Sequence, residues 1–376
     1  MILEIARPED SWDLKQFFKN FTIGELIRLR IDRPEDFFTP YDIQSDSHVT
    51  YVLRNPEDKS IQGVATFVIK NVWLNQKIQT IAVARDLRIL PNRAATVSWG
   101  QHFMPVLEEI KRAYGVDYFF SVLNMSEAPV LNTFIRPRQF KRPWPRYHLF
   151  RRFNLVSLHG HLPFVRNPLP HLRIRQVDSS LQDALIYYIV SKRRHRDLSP
   201  IYDRSSAEDF ISRWKGLTLN DFYVALDHDG NIVGCVAPWS ASTIQEIIPY
   251  EYNQVAHNFR QFLKFGKWFG WTRTLTKPVS RLRREAPLNF RYLTSFLADN
   301  EDIFEALLWR VFYEIHPHEF LVYLQMRQDL HMRPPLGWIT SRIPHGLYCL
   351  IPPEQEAPSF LHPSNESLCD WEAFYV

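Results

Sequence analysis

The feature that most constrains this chain is an order of predicted elements that occurs twice. The first half predicts a short helix, three β-like runs, a long helix, a strand, a short helix and a closing strand, at residues 11–21, 51–54, 62–70, 79–90, 99–114, 117–123, 126–134 and 147–158. The second half predicts a strand, two helices, a hairpin, a strand, a helix and two final strands, at residues 171–177, 182–193, 207–217, 222–226, 232–237, 288–297, 302–315, 320–326 and 347–351. This alternation predicts an α/β protein built from two similar halves.

Two short stretches mark a turn and a boundary. The pair Asp229-Gly230 predicts a tight hairpin, because glycine tolerates the positive φ that such turns require. The proline-rich stretch 162–170 is typical of a linker. A chain of 376 residues is sufficient for two domains of roughly 150–200 residues. We therefore expect an N-terminal domain over 1–162 and a C-terminal domain over 171–376, the second with an insertion at 255–286.

Composition argues against several classes of protein. The net charge is only +4, with 45 basic and 41 acidic residues, whereas a general nucleic-acid binder usually has a strong basic excess. Three widely separated cysteines form no CxxC pair, which argues against a disulfide framework or a zinc site. The histidine pairs at 159–161 and 316–318 lack the spacing of metal ligands. We expect no metal and no clear nucleic-acid partner.

The sequence also bears on location. The first ten residues have no basic stretch followed by an apolar one, so we expect no signal peptide. No run approaches the about 18 apolar residues that a transmembrane helix needs. These features and the unpaired cysteines predict a cytoplasmic protein. Its oligomeric state leaves no mark in the sequence.

Four short stretches, in a consistent order, resemble one known superfamily. Residues 221–237 look like a pair of strands that ends in Ile-Val-Gly, and 61–67 occupy the same place in the first half. Residues 86–91 are similar to a fourth strand that ends in proline, and 124–128 have the pattern Asn-x-x-x-Ala after a fifth strand. Together they resemble the GNAT superfamily of acyl-CoA-dependent acyltransferases. The resemblance implies two tandem acyl-CoA N-acyltransferase-like domains, each with a mixed, largely antiparallel sheet flanked by helices.

The resemblance also implies a reaction and a coenzyme site. An acyl group would pass from acetyl-CoA or another acyl-CoA to an amine on a small molecule or peptide. The coenzyme would bind in the first half, with the strand residues Ile89 and Leu90 paired to its pantetheine arm and Asn124 beside it.

The pyrophosphate of the coenzyme would lie at a helix start, where unpaired N–H groups and the helix dipole favour anions. The matching residues are Arg93, Ala94, Ala95, Thr96, Val97 and Ser98. The three glycines usual in the superfamily are replaced by Ala94, Thr96 and Ser98, whose Cβ atoms restrict the approach of phosphate. The stretch is therefore either a modified coenzyme site or an ordinary helix start.

The second half departs further from the superfamily. Its corresponding turn contains three carboxylates, Asp299, Glu301 and Asp302, which would repel a pyrophosphate. Asp299 or Asn300 followed by acidic residues is typical of a capped helix N-terminus. We expect this half not to bind coenzyme A by the usual phosphate loop.

The catalytic groups are implied only by the resemblance. Asp86 lies near the place of the superfamily's strand-four carboxylate and would accept a proton from the amine. The usual tyrosine acid falls at Asn132, and Tyr147 and Tyr118 are substitutes in residue type alone. Two alternatives stay open: an aminoacyl-tRNA-dependent transferase of the tandem type, and a degenerate pair that binds acyl-CoA or a partner protein without turnover.

The segment 260–284 interleaves eight basic residues with five phenylalanines and tryptophans. Such a segment could lie on an anionic membrane, bind tRNA or another phosphate-bearing substrate, or cover the coenzyme. We favour a simpler prediction, in which it packs across the groove between the domains with its aromatic residues in the core.

Overall fold

The computed structural model describes residues 1–135, 144–194, 196–201, 204–282, 285–365 and 367–376. Its strands are β1 (Ile2–Ile5), β2 (Ile27–Asp32), β3 (Ser47–Arg54), β4 (Ile61–Leu74), β5 (Lys77–Ile89), β6 (Tyr118–Asn124), β7 (Arg146–His161), β8 (Arg173–Gln176), β9 (Tyr223–Leu226), β10 (Ile232–Trp239), β11 (Glu246–Tyr252), β12 (Phe290–Ala298), β13 (Phe320–Met326) and β14 (Trp338–Ile351). Its helices are α1 (Ser11–Phe18), α2 (Thr39–Asp42), α3 (Arg93–Tyr114), α4 (Ala128–Phe134), α5 (Gln182–Arg193), α6 (Arg204–Ser212), α7 (Gln254–Trp268), α8 (Val279–Leu282) and α9 (Glu301–Glu314).

Twelve strands form one mixed sheet in the order β1-β3-β4-β5-β6-β14-β7-β13-β12-β10-β9-β8, and β2 pairs with β11 in a second sheet. The pairs β5–β6 and β12–β13 are parallel, and the other neighbours are antiparallel. The predicted fold class, a mixed and largely antiparallel sheet flanked by helices, is confirmed. The predicted hairpin is confirmed as well, because β9 and β10 pair across Gly230, whose φ is +86°.

The two halves exchange their last strands at the centre of the sheet. The sequence pattern predicts that residues 147–158 form the closing strand of the first half. This prediction is wrong, because that strand, β7, pairs with β13 and β14 of the second half. The last strand, β14, lies between β6 and β7 and pairs with both. The sheet of each half is therefore completed by a strand from the other. The division into domains 1–162 and 171–376 stays a prediction.

One long helix covers one face of the sheet in each half. In α3 the buried side chains are those at helical spacing, Trp99, Phe103, Leu107 and Ile110. In α9 the apolar stripe is buried from Ile303 to Phe312. Within the described residues, no helix is long and apolar enough to cross a membrane.

On the opposite face, both halves contribute to one shared core. Val83 of the first half and Trp239 and Tyr292 of the second belong to a single buried cluster. The C-terminal segment, defined here as residues 369–376, packs into the same cluster through Trp371 and Phe374. The segment therefore fills the groove between the two halves.

The insertion 255–286, of which residues 283 and 284 lie outside the described part, does not pack as predicted. Its helix α7 buries the small residues Ala256 and Gly266 together with Leu263. Four aromatic side chains are 48–79% exposed, those of Phe262, Phe265, Trp268 and Phe269. The two halves are instead joined by the pairing of β2 with β11. The prediction that the aromatic residues of this segment lie in the core is wrong for these four.

Candidate active site

The site begins where β5 and β6 separate. The two strands pair in parallel from Ile81↔Tyr118 to Ala84↔Ser121, and no later pair joins them. Asp86 follows with a φ of +52°, and the register with β4 shifts at this point, so the strand bulges. Beyond the bulge, β5 stays paired to β4 and β6 stays paired to β14 on their outer edges. An opening is left between the strand ends, with unpaired backbone on both sides.

The predicted strand residues border this opening. Ile89 pairs with Gly63 of β4, and the N–H of Leu90 donates to the carbonyl of Gln62 at 2.9 Å. The carbonyl of Leu90 also accepts from the N–H of Asn92 at 2.7 Å, so the backbone groups of Leu90 are engaged within the protein and only Ile89 presents a backbone edge to the gap. Asn124 ends β6 on the far side, where its side chain donates to Glu127 and accepts from the N–H of Ser126. That side chain closes the turn into α4, so any contact with coenzyme stays a prediction.

Helix α3 starts directly after the opening. The side chain of Asn92 caps it by accepting from the N–H of Ala95 at 2.7 Å. Arg93, Ala94 and Thr96 are exposed, whereas Ala95 and Ser98 are buried. The first turn contains no acidic residue. The N–H groups of Arg93 and Ala94 precede the first intrahelical bonds, so this end of the helix can receive an anion.

Asp86 is an ion-pair residue. Its carboxylate lies 2.6 Å from a guanidinium nitrogen of Arg33 and accepts from the hydroxyl of Tyr41 at 2.8 Å. The Arg33 guanidinium is buried against the rings of Phe18, Phe37 and Tyr41. Burial opposes ionisation of Asp86, but the attraction of Arg33, Arg88 and Arg85 outweighs it and lowers the pKa of the carboxyl group. A carboxylate of lowered pKa accepts a proton poorly, which argues against the predicted role of Asp86 as base.

The candidates for a proton donor receive no support from their positions. Asn132 is exposed on α4. Tyr118 lies at the paired end of β6, away from the opening, and its ring contacts Phe360. Tyr147 lies on β7, and burial raises the pKa of its hydroxyl.

Two cations on the groove side of the sheet were not predicted. In the register of β4 and β5, Thr66 pairs with Arg85 and Lys70 pairs with Ile81, so both cations share one face. Arg85 donates to the backbone carbonyl of Tyr375. The ammonium nitrogen of Lys70 lies 4.0 Å from the centre of the Tyr375 ring and 5.7 Å from that of Trp371.

The environment of Lys70 changes its acidity. Burial, and then the repulsion of Arg85, lower the pKa of Lys70 to about 7, although Asp370 and Glu372 oppose the shift. Lys70 also lines a small cavity with Val72, Ile81 and Tyr375. The sequence contains no signal for this, because a lysine at the end of a β-like run usually faces solvent. Only the return of the C-terminal segment brings aromatic rings to it.

The second half contains an equivalent bulge. Parallel pairing of β12 and β13 ends at Tyr292↔Val322, and Ser295 follows with a φ of +48°. Here the carboxylate of Glu372 fills the place beside the bulge. It accepts from the N–H of Ser295 at 3.1 Å and from the hydroxyl of Thr294 at 3.0 Å, and it pairs with Arg193 at 2.5 Å.

The gap between β12 and β13 is a cavity that the chain itself closes. Its volume is about 40 Å³, and its walls are Leu293, Phe296 and Leu297 of β12 with Tyr323, Leu324 and Met326 of β13. The C-terminal segment covers it from Cys369 to Ala373. This gap is therefore occupied in part by the protein's own chain.

The start of α9 also differs from that of α3. The side chain of Asn300 accepts from the N–H of Ile303 at 2.9 Å, so the predicted capping is confirmed at Asn300. Glu301 and Asp302 occupy the first turn. Asp299 accepts from the hydroxyl of Tyr188 and pairs with Lys192. The acidic first turn disfavours a second anion at this helix start.

The histidine pairs take part in packing and hydrogen bonds. Burial lowers the pKa of His159 to about 3, and its ring contacts those of Phe259 and Phe320. His161 makes a hydrogen bond of 2.6 Å with the hydroxyl of Tyr313. In the part of the chain that the structure describes, no group of three or more His, Cys, Asp or Glu residues could hold a metal ion.

Comparison with known proteins gives the fold its context. No family model and no curated protein matches the chain. The structure of Saccharomyces cerevisiae N-myristoyltransferase with bound myristoyl-CoA and inhibitors is similar over 98% of this chain and 86% of that chain, with 10% identity and a TM-score of 0.52. A glucosamine N-acetyltransferase region of a fungal multi-domain β-N-acetylglucosaminidase is similar over 93% of this chain and 38% of that chain, with 13% identity and a TM-score of 0.53. The chain therefore has a GNAT-like fold, as the resemblance in sequence predicted.

Proposed function

We propose that the protein is an acyl-CoA-dependent N-acyltransferase whose coenzyme site lies in the first half. The observation that carries the proposal is the opening between β5 and β6, which leads directly to the exposed start of α3. Unpaired strand backbone suits the amide groups of a pantetheine arm, and a helix N-terminus suits the pyrophosphate. One continuous feature of the fold thus offers both kinds of contact that the coenzyme needs.

Each predicted residue has a place in this arrangement. The backbone of Ile89 would pair with pantetheine, and Leu90, whose N–H and carbonyl already have partners, would contact it through its side chain. Arg93 and the N–H of Ala94 would bind phosphate. Ala95, Thr96, Val97 and Ser98 would shape the first turn of the helix, while Asn124 would bound the opening from β6. At Ala94, Thr96 and Ser98, where the superfamily has glycine, the Cβ atoms keep the phosphate farther from the backbone. We therefore expect acyl-CoA to bind more weakly than it would to a glycine loop.

The acceptor amine would approach from the groove side of the sheet. Its nitrogen attacks the thioester carbonyl, the carbon–sulfur bond breaks, and the coenzyme leaves as a thiolate that then takes up a proton. The proton that the amine loses balances the one that the thiolate takes up. Lys70 is no candidate for the group that accepts the amine proton, because it lies opposite Ile81, level with Tyr118 and away from the opening, under the ring of Tyr375. Asp86, held by Arg33, would keep the bulge in shape instead.

The acyl chain and the acceptor are separate questions within this proposal. The similar folds named above include a transferase with bound myristoyl-CoA and a glucosamine N-acetyltransferase region. The acyl donor could thus be acetyl-CoA or a longer acyl-CoA, and the acceptor an amino sugar or a peptide amine. The first assay should therefore include a short and a long acyl-CoA, and both amino-sugar and peptide acceptors.

Release of free coenzyme A tests the proposal. The purified protein is incubated with acetyl-, octanoyl- or myristoyl-CoA and a panel of amino sugars and peptides, and thiol is measured over time. We expect amine-dependent thiol release by the wild type and a loss of at least about tenfold in kcat/KM in Arg93→Glu, because a negative charge at the start of α3 repels the pyrophosphate. Lys111→Glu, an exposed residue at the far end of α3, is the matched control.

The outcomes separate the alternatives. Acyl-CoA binding without turnover for any acceptor would favour a binding protein over an enzyme. Turnover that is unchanged in Arg93→Glu would contradict the placement of the pyrophosphate at the start of α3. The absence of binding to every acyl-CoA would overturn the proposed site.

A further inference from the structure

The outward side of helix α7 carries large apolar side chains among polar ones such as Asn258 and Gln261. It carries Val255, Phe262, Phe265 and Trp268, and Phe269 follows at the helix end. These five side chains are exposed, Trp268 to 79%. A surface helix of a water-soluble domain normally turns such residues towards the core. In α7 these five residues point outwards instead. We call them the α7 face.

The outward orientation of these five residues is fixed by the packing beneath the helix. The inward side is made of Ala256, Leu263 and Gly266, together with Phe259, which packs against the core. A Cβ added to Gly266 would lie 2.9 Å from the side chain of Thr272, so the helix sits close to the following segment. The hydroxyl of Thr272 donates to the carbonyl of Leu263 at 2.5 Å. The helix therefore cannot turn its aromatic residues inwards without losing this close contact.

Two further apolar side chains project from the same end of the sheet. Phe164 is 70% exposed and Leu336 is 95% exposed. Their loops meet, because the N–H of Leu162 donates to the carbonyl of Gly337 at 2.9 Å. They adjoin the segment after α7 through a hydrogen bond of 3.1 Å from the N–H of His161 to the carbonyl of Trp271. Three separate parts of the chain thus present apolar side chains in one region.

The charge of this region is one-sided. Residues 254–284 contain eight basic residues and no acidic residue, although the whole chain has a net charge of only +4. Lys264 is exposed on α7, and Lys267 makes a hydrogen bond of 3.0 Å with His318. A surface that combines exposed aromatic rings with lysines requires a partner that is both apolar and anionic.

We propose that the α7 face docks on the surface of an anionic lipid bilayer. An interfacial helix has this composition, with Trp and Phe on the face that enters the headgroup region and Lys beside it. The observations favour this surface over RNA, because two of the guanidinium groups that could contact phosphate are already engaged by backbone carbonyls. Arg260 donates to the carbonyl of Leu275, and Arg273 donates to those of Phe312 and Pro317.

Flotation with lipid vesicles tests the proposal. Wild-type protein is mixed with vesicles of phosphatidylcholine, with and without phosphatidylserine, and the bound fraction is measured. We expect binding to the anionic vesicles that weakens as salt is added, because lysine attraction to the surface is screened. The variant Phe265→Ser/Trp268→Ser should lose at least about tenfold in affinity, since burying one aromatic side chain already contributes that factor.

Two matched controls separate docking from general effects. Trp12→Ser removes a tryptophan of similar exposure, 65%, on α1 of the first half and should bind as the wild type does. Lys264→Glu should weaken binding to anionic vesicles by at least about fivefold, since each lysine near such a surface contributes roughly that factor. Lys111→Glu, an exposed residue on α3, should leave binding unchanged.

Three results would overturn the proposal. The first is equal binding by wild type and the Phe265→Ser/Trp268→Ser variant. The second is the absence of binding to anionic vesicles together with salt-sensitive binding of single-stranded RNA that Trp268→Ser weakens. The third is a wild-type oligomer that ignores vesicles and dissociates in Trp268→Ser, which would assign the α7 face to a second copy of the chain.

Discussion

The two halves of the sheet each contain a bulge with a residue of positive φ, Asp86 in β5 and Ser295 in β12, but they use it differently. At the first bulge the carboxylate belongs to the bulge residue and turns away to Arg33, which leaves the gap between the strands open. At the second bulge the carboxylate comes from Glu372 of the C-terminal segment, which lies in the gap itself.

The difference extends to the neighbouring residues. The first turn of α3 is free of acidic residues, whereas that of α9 contains Glu301 and Asp302. When the halves are matched at their bulges through the strand registers, Ala241 occupies the place of Lys70. The same backbone geometry thus leaves a gap open in one half and serves internal packing in the other, so the proposed coenzyme site would occur once in each chain.

The largest effect should come from Asp86→Asn. Asparagine tolerates the positive φ of the bulge, but it leaves the buried Arg33 without a charged partner. We expect a loss of about 3 kcal/mol in the free energy of unfolding in urea. Asp46→Asn, which removes the charge from an exposed pair with Arg213, should cost less than about 0.5 kcal/mol.

The pH dependence of stability gives the same variant a second test. The folded-state pKa of Asp86 lies below its unfolded value, so the unfolded state binds more protons in acid. The stabilisation is present above the unfolded pKa and is lost as pH falls through the folded pKa. Asp86→Asn should lose less stability on acidification than the wild type does. Parallel acid curves for the two proteins would contradict the ion pair.

Glu372→Gln tests the second bulge. The change removes the charge that pairs with the buried Arg193, although Asp370 remains 3.6 Å from it. We expect a loss of about 2 kcal/mol in the free energy of unfolding. Acyl-CoA binding should keep its stoichiometry of one, measured by calorimetry. A second binding site that appears in this variant would show that Glu372 alone distinguishes the halves.

Lys70→Met tests a position at which the two halves differ, with Lys70 in the first half and Ala241 in the second. The folded-state pKa of Lys70, about 7, lies below the unfolded value, so the unfolded state binds more protons between those two pKa values. Wild-type stability should therefore rise as pH increases from about 7 to about 10.5, and the variant should lack this rise. We expect the variant to be more stable by about 1–2 kcal/mol at pH 7. If the free energies of unfolding of the wild type and the variant change equally with pH, Lys70 lies in a solvated environment.

The sequence predicts local elements well, because each is set by neighbouring residues. The helical spacing from Trp99 to Ile110, the glycine turn at Gly230 and the cap at Asn300 depend on the local chain alone. The exchange of β7 and β14 could not be predicted in this way, since alternation identifies a strand without naming its partner. For the same reason the sequence does not predict the surroundings of Lys70, which are formed by the C-terminal segment about 300 residues later in the chain.

The orientation of α7 is a different kind of failure. A helix with aromatic residues on one side is usually predicted with that side inwards, because burial of apolar surface stabilises a domain. Here Gly266 and Thr272 fix the opposite side against the protein. The composition of the segment is compatible with a membrane surface and with a buried position, and the packing beneath the helix favours the first.

A calorimetric titration of acyl-CoA into wild type, Arg93→Glu and Arg112→Glu tests the central claim most directly. Arg93 begins α3 beside the opening, whereas Arg112 lies exposed in the last turn of the same helix. We expect one site in the wild type, a loss of at least about tenfold in affinity in Arg93→Glu, and no change in Arg112→Glu, because only the first places a negative charge at the pyrophosphate. Equal affinity in all three proteins, or two sites in the wild type, would contradict the assignment of the coenzyme to the first half.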